Sequence, residues 1–150
     1  VCAKNKVGVI LMHMRGTPVT MQKDVKYADL ISEIFNHLQD RVSLAVKAGI
    51  KKDRIAVDPG IGFGKGAEDN LKIIKRLSEF KSIGRPVVLG TSRKSFIGKI
   101  LNLDVKDRLE GSIAAVAAGI LNGASIVRVH DVKKTRMAAD MADAVKNSFM

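Results

Sequence analysis

Ile55-Ala56-Val57-Asp58-Pro59-Gly60-Ile61-Gly62-Phe63-Gly64-Lys65 decides how the rest of the chain is read. Its first four residues have the composition of a short strand buried on both faces, and the run then breaks into a proline and three glycines at every second position. A carboxylate at the mouth of a buried strand is costly unless its charge or its hydrogen-bonding capacity is used. The glycines let the backbone turn and approach a flat ligand closely. By glycine spacing alone, the run reads equally well as a glycine-rich turn with a helix-capping acid. It is not a Walker A loop, because no lysine followed by Ser or Thr closes it, and its glycines do not fit the dinucleotide pattern.

The same grammar recurs on either side. Val7 to Met14, Ile55 to Asp58, Val87 to Gly90 and Ile126 to His130 read as strands, each followed by a stretch with helical spacing. Ile31, Ile34, Leu38, Val42 and Ala45 fall on one helical stripe that Gly49 closes. Leu71, Ile74, Leu77 and Phe80 mark a second helix, ending before Gly84 and Pro86. Ser95 to Leu101 reads as a short third. Asp107 is then expected to cap a fourth, with Leu109, Ile113, Val116, Ala117 and Ile120 on its buried face. Thr135 to Val145 reads as a last helix with Met137, Met141 and Val145 on one side. Strands alternating with helices imply a parallel sheet covered by helices, since a parallel connection needs a crossover. A doubly wound sheet and a (β/α)8 TIM-type barrel both satisfy that pattern. Polar and glycine-rich residues gather just after each strand, where barrel enzymes place their chemistry, which favours the barrel. A whole barrel takes about 250 residues, so four βα units make a half-barrel, and the opening Val1 agrees with a fragment.

Composition bounds the remaining classes. With 150 residues, 46% hydrophobic and 27% charged, the chain is in the globular range and long enough for one core. Its single cysteine, Cys2, permits no internal disulfide and fits a reduced, cytoplasmic setting. Apolar runs such as Val9 to Met12 are far too short to cross a membrane, so a soluble protein without a membrane partner is expected. The net charge of +11 fits either a nucleic-acid surface or a solvated surface that draws anionic small molecules. The second is favoured, because Lys and Arg are scattered, aromatics are 4% and Trp is absent.

The other strand ends carry their own chemistry. Gly90-Thr91-Ser92-Arg93-Lys94-Ser95 follows the third strand and opens a helix, whose free N–H groups suit a carboxylate or phosphate, with Ser95 adding a hydroxyl. Solvated basic residues ahead of a helix are the plainer account of Arg93 and Lys94, but a lysine so close to the end of a buried strand favours the functional one. Arg128 and His130 alternate onto one side of the fourth strand, so both can face one anion, although an Arg paired with an acid and a hydrogen-bonded His would look the same. Met12 can wall a planar ring or pack in the core. His13 has no second His or acid at ligand spacing, which makes metal binding through it improbable.

Taken together and in order, Leu-Met-His-Met-Arg-Gly-Thr-Pro at 11–18, the run from Asp58 to Lys65, Ser-Arg-Lys-Ser at 92–95 and Arg-Val-His-Asp-Val at 128–132 resemble the dihydropteroate synthase family. The resemblance implies a (β/α)8 barrel of which residues 1–150 are the C-terminal half, strands five to eight, with the other four units expected upstream of Val1. It implies a transferase of folate biosynthesis, a sulfonamide target, that joins 6-hydroxymethyl-7,8-dihydropterin pyrophosphate to p-aminobenzoate with release of pyrophosphate. On that resemblance Asp58 and Met12 would hold the pterin, and Lys94 would reach the pterin and the reacting region. Gly62, Phe63, Arg93 and Ser95 would border the p-aminobenzoate pocket, and Arg128 and His130 would hold the pyrophosphate. Mg²⁺ is implied as cofactor, its main protein ligand belonging to the missing half, and a homodimer or other self-association through the late helices is implied as well. The 150 residues alone are expected to be inactive. Two alternatives are weighed against this reading. A methyltransferase acting on methyltetrahydrofolate is similar in its pterin site but lacks Ser-Arg-Lys-Ser; a non-catalytic basic module would bind nucleic acid in a salt-dependent way.

Overall fold

The computed structural model describes residues 1–17, 19, 21 and 26–148; Pro18, the last residue of the first motif, lies outside the described residues. Four parallel strands alternate with five helices: β1 (Val9–Met12), α1 (Leu30–Lys47), β2 (Ile55–Asp58), α2 (Ala67–Lys75), β3 (Val88–Leu89), α3 (Ser95–Leu101), α4 (Leu109–Leu121), β4 (Ile126–Val127) and α5 (Val132–Asn147). β1 pairs with β2 in the register Val9↔Ile55 to Met12↔Asp58, and β3 pairs with β4 as Val88↔Ile126 and Leu89↔Val127. A parallel bridge between Val57 and Val87 joins the two pairs, so the strands follow one another in chain order, as in a barrel segment. Among the described residues, no strand covers the outer edge of β1 or of β4. The architecture is a partial (β/α)8 barrel of four βα units.

Helix α1 forms where the stripe predicts. The Asp29 carboxylate accepts from the backbone N–H groups of Ile31 and Ser32, each at 3.2 Å, and Glu33 reaches back to Ala28 and Asp29, so several orphan donors at the helix start are satisfied. Gly49, at φ +89°, turns the chain out of the helix. Ile34 and Leu38 are fully buried and meet Val57, Leu77, Phe80, Val87 and Leu89 in the main core, between the sheet and its helices. A smaller cluster of Val116, Ile120 and Ala142 joins α4 to α5.

Other expectations are corrected. β1, β3 and β4 are shorter than the segments read as strands, and β3 and β4 keep only two paired residues each. Arg128 and His130 therefore lie beyond the last strand residue, although the Arg128 N–H still donates to Leu89 O at 3.0 Å. The second helix stops at Lys75 and tightens into a 3₁₀ segment, Leu77–Ile83. Ile74, Leu77 and Phe80 are buried as expected, but the stripe they share also takes in Asn70 and Ile73, and Leu71 lies to one side of it, 40% exposed. Asp107 ends a separate 3₁₀ turn and does not cap α4, whose preceding residue, Arg108, makes no side-chain capping bond. The last helix runs longer than read, Val132–Asn147; Met137, Met141 and Val145 do share one side of it, which faces outward, while Thr135 and Ala142 are buried.

Candidate active site

Asp58 stands at the end of β2, in register with Met12, and one carboxylate oxygen accepts the Gly60 N–H at 2.7 Å. Gly60, Gly62 and Gly64 all have positive φ (+73°, +80°, +67°), so the loop coils through a conformation that side-chain-bearing residues resist. Asn70, at the buried start of α2, accepts the Gly62 N–H at 2.7 Å and donates to Gly66 O at 2.7 Å. Tyr27 donates its hydroxyl to Gly64 O at 2.8 Å. Held from three sides, the loop sets the Phe63 ring under the ammonium of Lys94, which lies 3.9 Å from the ring centroid. Gly62 leaves room for this lysine, since a Cβ there would sit 3.2 Å from Lys94 Cδ.

The charges at this mouth act on one another. Burial raises the Asp58 carboxyl above its usual range, while its bond from Gly60 and the charges of Lys94, Lys65 and Arg128 oppose that rise. Burial lowers Lys94, Asp58 opposes the fall and Arg128 adds to it. Asp58, Lys94 and Arg128, from three consecutive strand ends, thus share one electrostatic neighbourhood.

Arg93 is built differently. It sits at φ +57°, its N–H donates to Ser112 Oγ at 2.8 Å and its carbonyl accepts from Arg108 at 3.2 Å. Its guanidinium grips Asp131 with two bonds, of 3.0 and 2.8 Å. His130 is tied back to Ser92 Oγ through its backbone N–H at 3.2 Å and Nδ1 at 3.0 Å. Ser95 is the outlier: it lines a separate groove of about 570 Å³ with Gly98, Lys99 and Arg108. The structure therefore gathers Met12, Asp58, Gly62, Phe63, Lys94 and Arg128 at one mouth. Arg93 and His130 are pinned at its β3–β4 side, and Ser95 opens onto the neighbouring groove.

Sequence reasoning passed over the polar groups that support this mouth: Lys65, Asn70, Ser92 and Ser112. His13, considered only as a metal ligand, is 6% exposed, with the His37 ring edge-on at a centroid distance of 4.9 Å and Lys65 Nζ 2.9 Å from its Nδ1. Among the described residues no group of three or more His, Cys, Asp or Glu could hold a metal ion.

Burial, then the charge of Lys65, pulls His13 down to about 3 from 6.5. Between those two values the unfolded chain takes up a proton that the folded chain refuses, so the contribution of His13 to stability is full above pH 6.5 and is lost as the pH drops toward 3. Melting temperatures taken from about pH 7 to about pH 4 should fall more steeply for the wild type than for His13→Gln. Parallel slopes would contradict this account.

With the geometry in place, comparison with known proteins is direct. The family described as pterin binding enzyme matches residues 1–130, and the chain belongs to it. The particular members it matches are dihydropteroate synthases. That of Synechocystis sp. is 46% identical over 146 residues, which cover 97% of this chain and 50% of the relative. A Yersinia pestis dihydropteroate synthase solved with a sulfonamide drug complex superposes with a TM-score of 0.94 at 39% identity, over 97% of this chain and 53% of that one. The Thermus thermophilus enzyme, solved in complex with 4-aminobenzoate, gives a TM-score of 0.90 at 36% identity, over 96% of this chain and 59% of that one. This chain spans about half the length of the curated relatives it matches. No helix among the described residues is long and apolar enough to cross a membrane.

Proposed function

We propose that this chain is the C-terminal half of a dihydropteroate synthase barrel, strands five to eight, and carries the strand ends that face both substrates. The observation that carries the reading is the convergence of Asp58, Lys94 over the Phe63 ring, and Arg128 at the ends of consecutive parallel strands. The substrates are 6-hydroxymethyl-7,8-dihydropterin pyrophosphate and p-aminobenzoate. Asp58 accepts the pterin's paired N–H donors, with Met12 lining the slot. Gly62, Phe63 and Arg93 border p-aminobenzoate, and its carboxylate reaches the edge of the neighbouring groove that Ser95 lines. Arg128 and His130 receive the pyrophosphate. In the reaction the methylene carbon–oxygen bond breaks and pyrophosphate leaves with the bonding pair. The aromatic amine forms the new carbon–nitrogen bond and loses one proton. What this half supplies is alignment of two flat reactants and positive charge where the leaving group gathers negative charge.

The protein that results is a cytoplasmic transferase of folate biosynthesis, open to sulfonamides at the p-aminobenzoate pocket, with Mg²⁺ held mainly by residues outside this chain. The open edges of β1 and β4 are met by the other half of the barrel, since about half of each relative is unaccounted for here. Self-association uses the outward side of α5, where Met137, Met141 and Val145 are each more than half exposed. The methyltransferase reading is disfavoured by Ser92 to Ser95, and a nucleic-acid role has no geometric support comparable to this mouth.

The test joins this chain to the complementary half of the Synechocystis relative and follows p-aminobenzoate-dependent release of pyrophosphate. Turnover is expected from the joined protein and none from the 150 residues alone. A folded joined protein that neither turns over nor binds pterin pyrophosphate would defeat the proposal, and turnover by the isolated chain would defeat the expectation of inactivity.

A further inference from the structure

Lys65 has no part in the chemistry just described, yet its side chain folds back into the protein and is only 4% exposed. A lysine in a polar loop ordinarily runs its stem along the surface and leaves its ammonium in water. Here Nζ lies 2.9 Å from His13 Nδ1, at the end of β1, and donates to the Phe63 carbonyl at 3.0 Å, inside the glycine loop. With Lys65 as donor, His13 Nδ1 accepts and the ring keeps its proton on Nε2. Charged or titratable groups face this pair from every side. His13 and Arg15 come from the end of β1, Tyr27 from the segment before α1, and His37 from α1. Asp58 comes from the end of β2, Asp69 from the first turn of α2, and Lys94 from the start of α3.

We propose that Lys65 is a positioning residue of the substrate mouth: its Nζ clamps the end of β1 to the Phe63 carbonyl, seating the Phe63 ring beneath Lys94, and its ammonium adds to the positive charge that Lys94 sets beside Asp58. The inference rests on the reading of Asp58 and Phe63 as the substrate walls and names the group that sets them both.

The two halves of this role separate with pH. Burial, the largest influence, brings Lys65 down from 10.5 to about 7, against the opposing pull of Asp58 and Asp69. A neutral amine still has two N–H bonds, one for the Phe63 carbonyl and one for His13 Nδ1. Deprotonation therefore leaves the clamp in place and removes only the positive charge, so Asp58 feels the change while the loop does not move.

The test is carbon-detected NMR titration of the full chain with no substrate added, following Lys65 Cε and Asp58 Cγ. Lys65 is expected to inflect near pH 7, with a second, smaller inflection of Asp58 Cγ at the same pH and no accompanying change in the Phe63 amide shift. In Lys65→Met that second inflection should vanish, the midpoint of Asp58 should move up, and the Phe63 amide should shift. In Lys65→Gln, which can still donate but carries no charge, the midpoint of Asp58 should rise while Phe63 stays near its wild-type position. A purely structural lysine would not move the Asp58 titration, so an unchanged Asp58 midpoint in a folded variant overturns the proposal. An ordinary Lys65 titration near 10.5 in the wild type overturns it too, even if neither variant folds. Because no pterin is present, failure of this test leaves the proposed substrates untouched, and failure of pterin binding leaves the linkage between Lys65 and Asp58 standing.

Discussion

Gly60→Ala is expected to destabilise the chain by about 3 kcal/mol, against about 1 kcal/mol for the same change at Gly84. Both glycines are left-handed, at φ +73° and +71°, so both substitutions incur the backbone penalty. They differ in their surroundings. A Cβ at Gly84 meets nothing within 4 Å, whereas at Gly60 it would overlap the carbonyl oxygen of His13 and come within 3.4 Å of Lys65 Nζ. Backbone cannot be moved aside as a flexible side chain can, so the end of β1 must separate from the loop. The His13 N–H to Asp58 O bond, 2.9 Å long, would be strained with it. Urea unfolding of the two variants beside the wild type measures the difference; equal losses would mean that close approach of the two strand ends is not what requires glycine.

In the joined, full-length barrel, Lys94→Ala is expected to lower turnover by about 10² to 10³-fold, with a much smaller effect on thermal stability. Lys94 is partly exposed and makes no side-chain capping bond to α3, so its removal leaves the core intact. What disappears is the ammonium over the Phe63 ring and beside Asp58, a preorganised charge at the point where the two substrates are proposed to meet. Lys94→Arg keeps the charge but cannot keep the position. A planar guanidinium is broader than an ammonium and sits farther from the backbone, so it cannot take the ammonium's place over the Phe63 ring. Arg should therefore recover little. Steady-state rates with p-aminobenzoate varied, alongside melting temperatures, separate the two effects. A loss below about tenfold in a folded Ala variant would remove Lys94 from the reaction.

Much of this molecule is legible without coordinates, for reasons that are local. The α1 stripe of Ile31, Ile34, Leu38 and Ala45 is buried as read, because regular helix keeps residues three and four apart on one face. The alternation of strand and helix implies parallel pairing, and the residues that follow each strand are the ones at the mouth. Leu71 reads as core from its spacing to Ile74, but the face that the sheet covers is the Asn70, Ile73, Ile74 and Leu77 stripe, which leaves Leu71 at its margin. By contrast Met137, Met141 and Val145 do share a side as read, though spacing could not say which side a neighbour covers; the contact with α4 selects Ala142.

The amino-acid order by itself determined the βα alternation and placed Asp58, Phe63, Lys94 and Arg128 at or just after the ends of strands, since both depend on residues within one segment. Only the tertiary structure decided which supports hold them. Lys65 meets His13 across 52 positions, and His130 meets Ser92 across 38. No periodicity carries information over such separations; a buried hydrogen bond between distant residues exists only once the strands have paired and brought their ends together.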